Sequence, residues 1–321
     1  MKTDKKILIT GGTGFIGSNL TDYFLNHGFK VVIIDNLLTS TTENIPVLKS
    51  PDNFIFINGD VIQEETFTQL KNEYFDIIYH LASPASPKQY IKYPLETLLA
   101  NSLGTINVIK YLMQSRSDKM IYASTSEIYG DPLEHPQRET YFGNVNPVGL
   151  RSCYDESKRF GETACMTFFQ KNKIDIRIAR IFNTYGPNME KNDGRVISNF
   201  IVQALSNQDI TVYGSGYQTR SFCYISDLVA GLVALSKPKL SGQIINLGNN
   251  DEQRIIDIAR EIKKITHSQS KITYKSLPID DPKRRKPDLK KASDILHWSP
   301  ETKLSTGLKL TIEYFKTRFA L

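Results

Sequence analysis

Tyr154 and Lys158 stand four residues apart in a stretch with helical periodicity, so both side chains project from one face. A tyrosine with its ordinary pKa of about 10 is a poor base near neutrality, but a neighbouring ammonium and an oxidised nicotinamide both favour the phenolate. The pair reads as a general base for an alcohol, Tyr154, with Lys158 as its electrostatic tuner and a ligand for a cofactor ribose. Upstream, Gly11, Gly14 and Gly17 fall in the run Gly-Gly-Thr-Gly-Phe-Ile-Gly, with Phe15 and Ile16 opening a helix. Glycines there permit a tight turn and let backbone N–H groups approach a pyrophosphate, whose charge a helix N-terminus stabilises. Asp35, just before Asn36, closes the next apolar run where a carboxylate would hydrogen-bond an adenosine ribose and repel a 2′-phosphate, so NAD is predicted over NADP. Asp60, with Val61 beside it, is the natural contact for the adenine end, and Ser124-Thr125-Ser126-Glu127 follows a further apolar run. Each signal alone has a plain alternative: a structural turn for the glycines, a turn aspartate for Asp60, a packed ring beside a solvated lysine for the pair. Their convergence on one crevice carries the reading.

Such residues need a scaffold that brings strand ends together. Continuous apolar runs at 6–10, 30–35, 53–58, 76–82, 120–124 and 175–181 read as strands buried on both faces. Helical patterns at 15–27, 94–115 and 152–172 fall between several of them. Alternating strands and helices predict an α/β fold, a doubly wound parallel sheet of the Rossmann type. Beyond residue 182 the texture changes to loops rich in Gly, Asn and Pro, with helical pieces at 196–205 and 255–264. Residues 1–182 are therefore expected to form an NAD-binding domain and 183–321 mainly a smaller C-terminal substrate-binding domain, with one strand near 242–247 returning to the main sheet.

Composition bounds the partners. A chain of 321 residues with 40% hydrophobic and 23% charged side chains is neither disordered nor fibrous. The formal charge of +6 is uneven: residues 1–150 hold 12 basic and 16 acidic side chains, residues 151–321 hold 28 and 18. An anionic ligand in the second half is implied. The run Lys283-Arg284-Arg285-Lys286 is too short to indicate nucleic acid. Cys153, Cys165 and Cys223 form no disulfide or zinc pattern, and the five histidines show no metal-ligand spacing, so no metal is expected. No apolar run approaches membrane-spanning length and the first residues lack the apolar stretch of a signal peptide, which makes the cytoplasm the expected compartment.

The glycine loop, the Thr-Ser-Glu segment and the Tyr-x-x-x-Lys pair together resemble the extended short-chain dehydrogenase/reductase superfamily. More narrowly, His80-Leu81-Ala82-Ser83-Pro84-Ala85-Ser86-Pro87, Ser124 to Pro132, Arg180 to Pro187, Asn192 to Val196, Tyr213 to Gly216 with Gln218-Thr219-Arg220, and Arg285-Lys286-Pro287-Asp288 resemble the UDP-glucuronate decarboxylase (UDP-xylose synthase) family. These motifs span the chain in order. The resemblance implies that Tyr154 takes the proton of the sugar C4 hydroxyl as a hydride passes to NAD. The 4-ketone then lies β to the C6 carboxylate, CO2 departs, and protonation at C5 with return of the hydride gives UDP-xylose. Thr125 and Ser126 are expected on the sugar, Glu127 at the proton or water of the decarboxylation steps, and Arg285 beside the carboxylate, although a guanidinium is a poor acid. By the same resemblance Leu81, Ser83 and Arg195 are expected to contact the cofactor, and Asn107, Asn183, Asn199, Phe200, Tyr213, Gln218 and Arg220 to contact the nucleotide sugar. Family members usually pair through two long helices, which implies a homodimer through 94–115 and 152–172. Two departures stand out: Leu99-Ala100 where the family often has Lys-Thr, and Ser157 where it has Gly. The competing outcomes are an oxidative decarboxylase that releases UDP-4-keto-pentose and NADH, another nucleotide-sugar epimerase or dehydratase, and a noncatalytic NAD-binding scaffold.

Overall fold

The computed structural model describes residues 4–44, 51–277 and 284–320. Its centre is a seven-stranded sheet in which every neighbouring pair is parallel. From one edge the strands are Ile244–Leu247, Asp175–Ile181, Lys119–Thr125, Ile77–His80, Lys6–Thr10, Lys30–Asp35 and Phe54–Asn58. Strand pleating explains why the apolar runs are continuous. Ile7, Ile9, Val31, Ile33 and Tyr79 enter one core, while Leu8, Val32, Ile34 and Ile78 enter the core on the opposite face.

Strand order reverses beside Lys6–Thr10, so the ends of that strand and of Ile77–His80 diverge and open a crevice between them. The turn after the first strand can exist only with glycine. Gly11 has φ of 74°, and a Cβ there would stand 2.7 Å from the Ala82 backbone nitrogen. A Cβ on Gly17 would meet the Gly11 carbonyl oxygen at 2.0 Å, so this glycine lets helix Phe15–Asn26 begin against the loop.

Several boundaries differ from the periodicity reading. The strand read as 76–82 ends at His80, because Leu81 and Ala82 turn aside to line the crevice. The helix read as 94–115 is broken into Pro94–Leu99, a π-helical turn Ala100–Gly104 and Thr105–Gln114. A Cβ on Gly104 would lie 2.7 Å from a Val61 methyl, so the wide turn carries the backbone close to the Asp60-Val61 loop. Within that turn Asn101 donates to the Ser157 hydroxyl at 3.0 Å, which gives the departure at Ser157 a structural partner.

Helix Ser152–Asn172 carries Tyr154 and Lys158 and is pinned to the sheet by a buried ion pair. Glu162 accepts two hydrogen bonds from Arg180, at 2.8 and 3.0 Å, and one from the Ser124 hydroxyl at 2.5 Å. His80 lies between the Thr10 and Thr105 hydroxyls, at 2.8 and 3.0 Å, and burial holds it neutral, its pKa lowered to about 3. The second half of the chain adds helices Val196–Leu205 and Ile255–Thr266 and three two-stranded pairs, one joining Thr219–Ser221 to Glu252–Arg254. Among the described residues no helix is long and apolar enough to cross a membrane.

Candidate active site

A cavity of about 520 Å³ follows the C-terminal edge of the sheet and passes under the second half of the chain. Its cofactor end is walled by Gly11, Gly14, Phe15, Ile16, Gly17, Asp35, Asn36, Asp60, Val61, Leu81 and Ser83. No side chain caps the helix that starts after Gly14, which leaves its first N–H groups facing the crevice for an anion. Asp35 also organises the loop: it accepts the Thr13 N–H at 3.1 Å, the Leu37 N–H at 2.9 Å and the Ser40 hydroxyl at 3.2 Å. Asn36 donates to Asp60 at 2.9 Å, tying the second and third strand ends together. The cradle that added Cβ atoms at Gly11 and Gly17 would fill, the uncapped helix start and the carboxylate at Asp35 fit a dinucleotide.

At the centre, Thr125, Ser126, Glu127, Tyr154 and Lys158 meet although the chain separates them. Thr125 caps the short helical turn Ser126–Tyr129 by accepting the Glu127 N–H at 3.2 Å, which sets the direction of the Glu127 side chain. Lys158 donates to the Ala123 carbonyl at 2.8 Å, with its nitrogen 5.9 Å from the Tyr154 ring centroid. The Tyr154 ring is stacked on Tyr90, centroids 5.0 Å apart and planes within 10°. Burial pushes Tyr154 up to about 12, against a downward pull from Thr125, and pulls Lys158 down to about 7. The sequence reading has Lys158 favouring the phenolate; in the protein alone both groups are driven toward neutrality, because each is almost fully buried.

Glu127 lies between two guanidiniums. Arg285 engages both of its carboxylate oxygens, one at 2.8 Å, and Arg151 donates to the same Oε2. Burial by itself would raise the Glu127 pKa, but Arg285 and then Arg151 outweigh it and hold the carboxyl below its usual range. Arg285 is only 6% exposed, whereas Arg284 beside it is exposed and Lys286 half-buried, so Arg285 alone of these three turns inward; Lys283 lies outside the described residues.

The far end of the cavity gathers Asn183, Arg195, Asn199, Phe200, Tyr213, Gln218 and Arg220. Arg195 donates to the Ala85 carbonyl at 3.1 Å, Asn199 to the Gly194 carbonyl at 3.0 Å and Gln218 to the Tyr213 carbonyl at 2.6 Å. Asn107 is the exception and corrects the sequence reading. It is absent from the cavity wall, fully buried, and its amide donates to the Val61 and Ile62 carbonyls at 3.1 and 2.9 Å. Its amide nitrogen is thus tied to the turn after Asp60, while its Oδ1 is buried without a hydrogen-bond partner. Sequence reasoning also missed Tyr90 and Arg151. Arg151 precedes Tyr154 by three residues, yet a basic residue ahead of a helix carries no signal of its own.

This site and fold define a member of the NAD dependent epimerase/dehydratase family, whose model matches residues 7–248. Within it the chain belongs with the UDP-glucuronic acid decarboxylases. UDP-glucuronic acid decarboxylase 1 of Xenopus tropicalis is 49% identical, over 98% of this chain and 73% of the relative. Among solved structures, an epimerase from Methanothermobacter thermautotrophicus superposes with a TM-score of 0.92 at 30% identity, covering 99% of this chain and 94% of that one. A UDP-glucuronic acid 4-epimerase from Bacillus cereus, in complex with UDP-glucuronic acid and NAD, superposes with a TM-score of 0.87 at 32% identity, covering 98% of this chain and 99% of that one.

Proposed function

We infer that this protein is an enzyme that decarboxylates UDP-glucuronate to UDP-xylose with NAD as its cofactor. The observation that carries the reading is the pair of guanidiniums, Arg285 and Arg151, converging on Glu127 beside Tyr154: a centre with cationic groups for a sugar carboxylate next to a base for a sugar hydroxyl.

Gly11, Gly14 and Gly17 would hold the pyrophosphate of NAD, Asp35 its adenosine ribose, Asp60 and Val61 the adenine, and Tyr154 with Lys158 the nicotinamide ribose. Bound NAD supplies reversible hydride transfer at the sugar C4, and its oxidised ring adds positive charge near Tyr154. Tyr154 takes the C4 hydroxyl proton, holds it while the C4 oxygen carries enolate charge as CO2 leaves, and returns it at the end. Thr125 and Ser126 orient the sugar, Arg285 holds the carboxylate, and Arg195 and Arg220 with Asn183, Asn199, Phe200, Tyr213 and Gln218 hold the nucleotide diphosphate. Ala100, where the family often has Thr, lines the cavity, whereas Leu99, where it often has Lys, is 41% exposed and no part of the cavity wall; substrate affinity is the property this departure would affect.

We assign residues 1–182 to cofactor binding and 183–321 mainly to the sugar nucleotide, with Ile244–Leu247 returning to the sheet. We propose a cytoplasmic protein that forms a homodimer through the two long helical segments. On these Leu95, Leu98, Leu99, Leu103 and Phe160 are each at least 40% exposed, an apolar face that a second copy would cover.

The decisive experiment supplies UDP-glucuronate and substoichiometric NAD to the purified protein and follows products by NMR. UDP-xylose and CO2 without net NADH are expected. Stoichiometric NADH with a keto-pentose would establish the oxidative reaction, C4 inversion without CO2 an epimerase, and NAD binding without turnover a scaffold.

A further inference from the structure

Gln137 lies between the Ser126–Tyr129 turn and helix Ser152–Asn172; it is no part of the cavity wall, yet it is fully buried. Glutamine is mostly an exposed residue, and one buried to this degree needs partners for its amide. Here Oε1 accepts the Lys286 N–H at 2.8 Å and Nε2 donates to the Glu134 carbonyl at 2.7 Å. The main chain of Gln137 pairs with the same segment. Its N–H donates to the Lys286 carbonyl, and the Asp288 N–H donates to its carbonyl, both at 2.8 Å, a parallel bridge opposite Pro287. Such a bridge needs no particular side chain; the bond from the Lys286 N–H to Oε1 does.

A second buried amide completes the arrangement. Asn246, on the returning strand Ile244–Leu247, donates from Nδ2 to the Gln137 carbonyl at 3.0 Å and the Asp288 carbonyl at 3.3 Å. Its Oδ1 accepts the Tyr129 hydroxyl at 2.8 Å, and Tyr129 ends the turn that carries Glu127. The segment that carries Arg285 and the turn that carries Glu127 are therefore tied together by amides outside the cavity wall.

Arginine has a long side chain with many rotamers, and its guanidinium must meet a carboxylate in a fixed fork geometry. Where its main chain stands decides where the fork lies. Arg285 directly precedes the clamped Lys286, its own carbonyl accepts the Ser221 hydroxyl at a long 3.4 Å, and its guanidinium engages both oxygens of Glu127. In the functional reading above, on which this inference rests, the same guanidinium holds the substrate carboxylate. We propose that Gln137 is a positioning residue for decarboxylation: its side-chain amide fixes the main chain at Lys286 and so sets the Arg285 guanidinium where the C6 carboxylate docks. Gln137 acts through Arg285 and does not contact the sugar. Recognition of the carboxylate, but not of the nucleotide, then depends on an amide outside the cavity.

The test compares two ligands that differ in that carboxylate. Gln137→Met keeps the length of the side chain and removes both amide bonds. In a Tyr154→Phe background, which stops turnover, calorimetric titration of the NAD-loaded protein follows UDP-glucuronate and UDP-xylose at equilibrium. Gln137→Met should weaken UDP-glucuronate about tenfold, the scale of one charge-assisted hydrogen bond, and change UDP-xylose less than about twofold. Arg285→Met should show the same selective loss, and the double variant should lose little more than Arg285→Met alone, because the two side chains act as a unit. Unchanged UDP-glucuronate binding, parallel weakening of both ligands, or losses that add in the double variant would each overturn the proposal. If Gln137→Met does not fold, Gln137→Asn, whose amide stops one methylene short of Lys286, decides by the same comparison. A selective loss in Arg285→Met that no Gln137 variant shares overturns this inference alone. A protein with Tyr154 intact that releases no CO2 from UDP-glucuronate overturns the functional reading as well, which separates the two failures.

Discussion

Glu127 is the residue on which the charges of the site balance. One carboxylate faces two guanidiniums in a setting where all three side chains are at most 13% exposed. When the carboxylate of a substrate reaches Arg285, two anions and two cations would share the centre; when CO2 leaves, its negative charge stays on the enolate and the balance is kept. Replacing Glu127→Gln removes the permanent anion. Leaving buried guanidiniums without their counter-charge costs about 3–5 kcal/mol, so urea unfolding at pH 7 should show a loss of that order. The pH dependence has a definite sign. The folded pKa of Glu127 is depressed, so its contribution is present above the ordinary carboxylate range near pH 4 and lost as pH falls through the folded value. The difference between wild type and variant should therefore shrink in acid, and a constant difference would mean that the carboxylate is not the source. Asp155 has the opposite sign. Its folded pKa is raised, folding takes up a proton, and stability from this group falls as pH rises from about 4 toward 8.

At the scale of elements, the site depends on how closely backbones approach. Gly17 lets helix Phe15–Asn26 start against the Gly11 carbonyl, and Gly104 lets the π turn reach Val61. In Gly17→Ala the added methyl meets a carbonyl oxygen at 2.0 Å, so the helix must move away from the loop proposed to cradle the pyrophosphate. NAD affinity measured by titration calorimetry should weaken at least about tenfold, ~1.4 kcal/mol; an unchanged affinity would place the pyrophosphate elsewhere. The ion pair between Glu162 and Arg180 acts at the same scale, because it fixes the helix carrying Tyr154 and Lys158 on strand ends that carry Ser124 and Thr125. Strand and helix identities were legible from runs and periods, since burial on both faces demands apolar side chains at every position. The break at Ala100–Gly104 was not, because its cause is a neighbour, Val61, far away in the chain.

For the whole molecule, the exposed leucines on the helical segments and Phe160 predict the assembly. Light scattering should give twice the chain mass of 36.5 kDa, and the double substitution Leu98→Glu with Phe160→Glu should reduce it to a monomer with NAD binding retained. A monomeric wild type would show that the apolar face serves another purpose. The basic excess of the second half is also resolved at this scale: Arg195, Arg220 and Arg285 line one cavity, a distribution that suits a diphosphate and a carboxylate in one ligand.

The amino-acid sequence by itself determined which residues can do chemistry and on what scaffold. The glycine loop, Asp35, the Thr-Ser-Glu segment and the spacing of Tyr154 and Lys158 are local patterns, and local backbone geometry enforces each of them. Only the tertiary structure decided what those residues face. Glu127 and Arg285 meet across 158 positions of chain, Tyr90 stacks on Tyr154 from another helix, and Asp155 is driven toward neutrality by burial and a carboxylate that no helical pattern places beside it. Asn107 shows the converse, a side chain expected at the nucleotide sugar whose amide nitrogen is taken by the backbone. Charge, desolvation and hydrogen-bond satisfaction are sums over neighbours in space, and those neighbours exist only once the chain has folded.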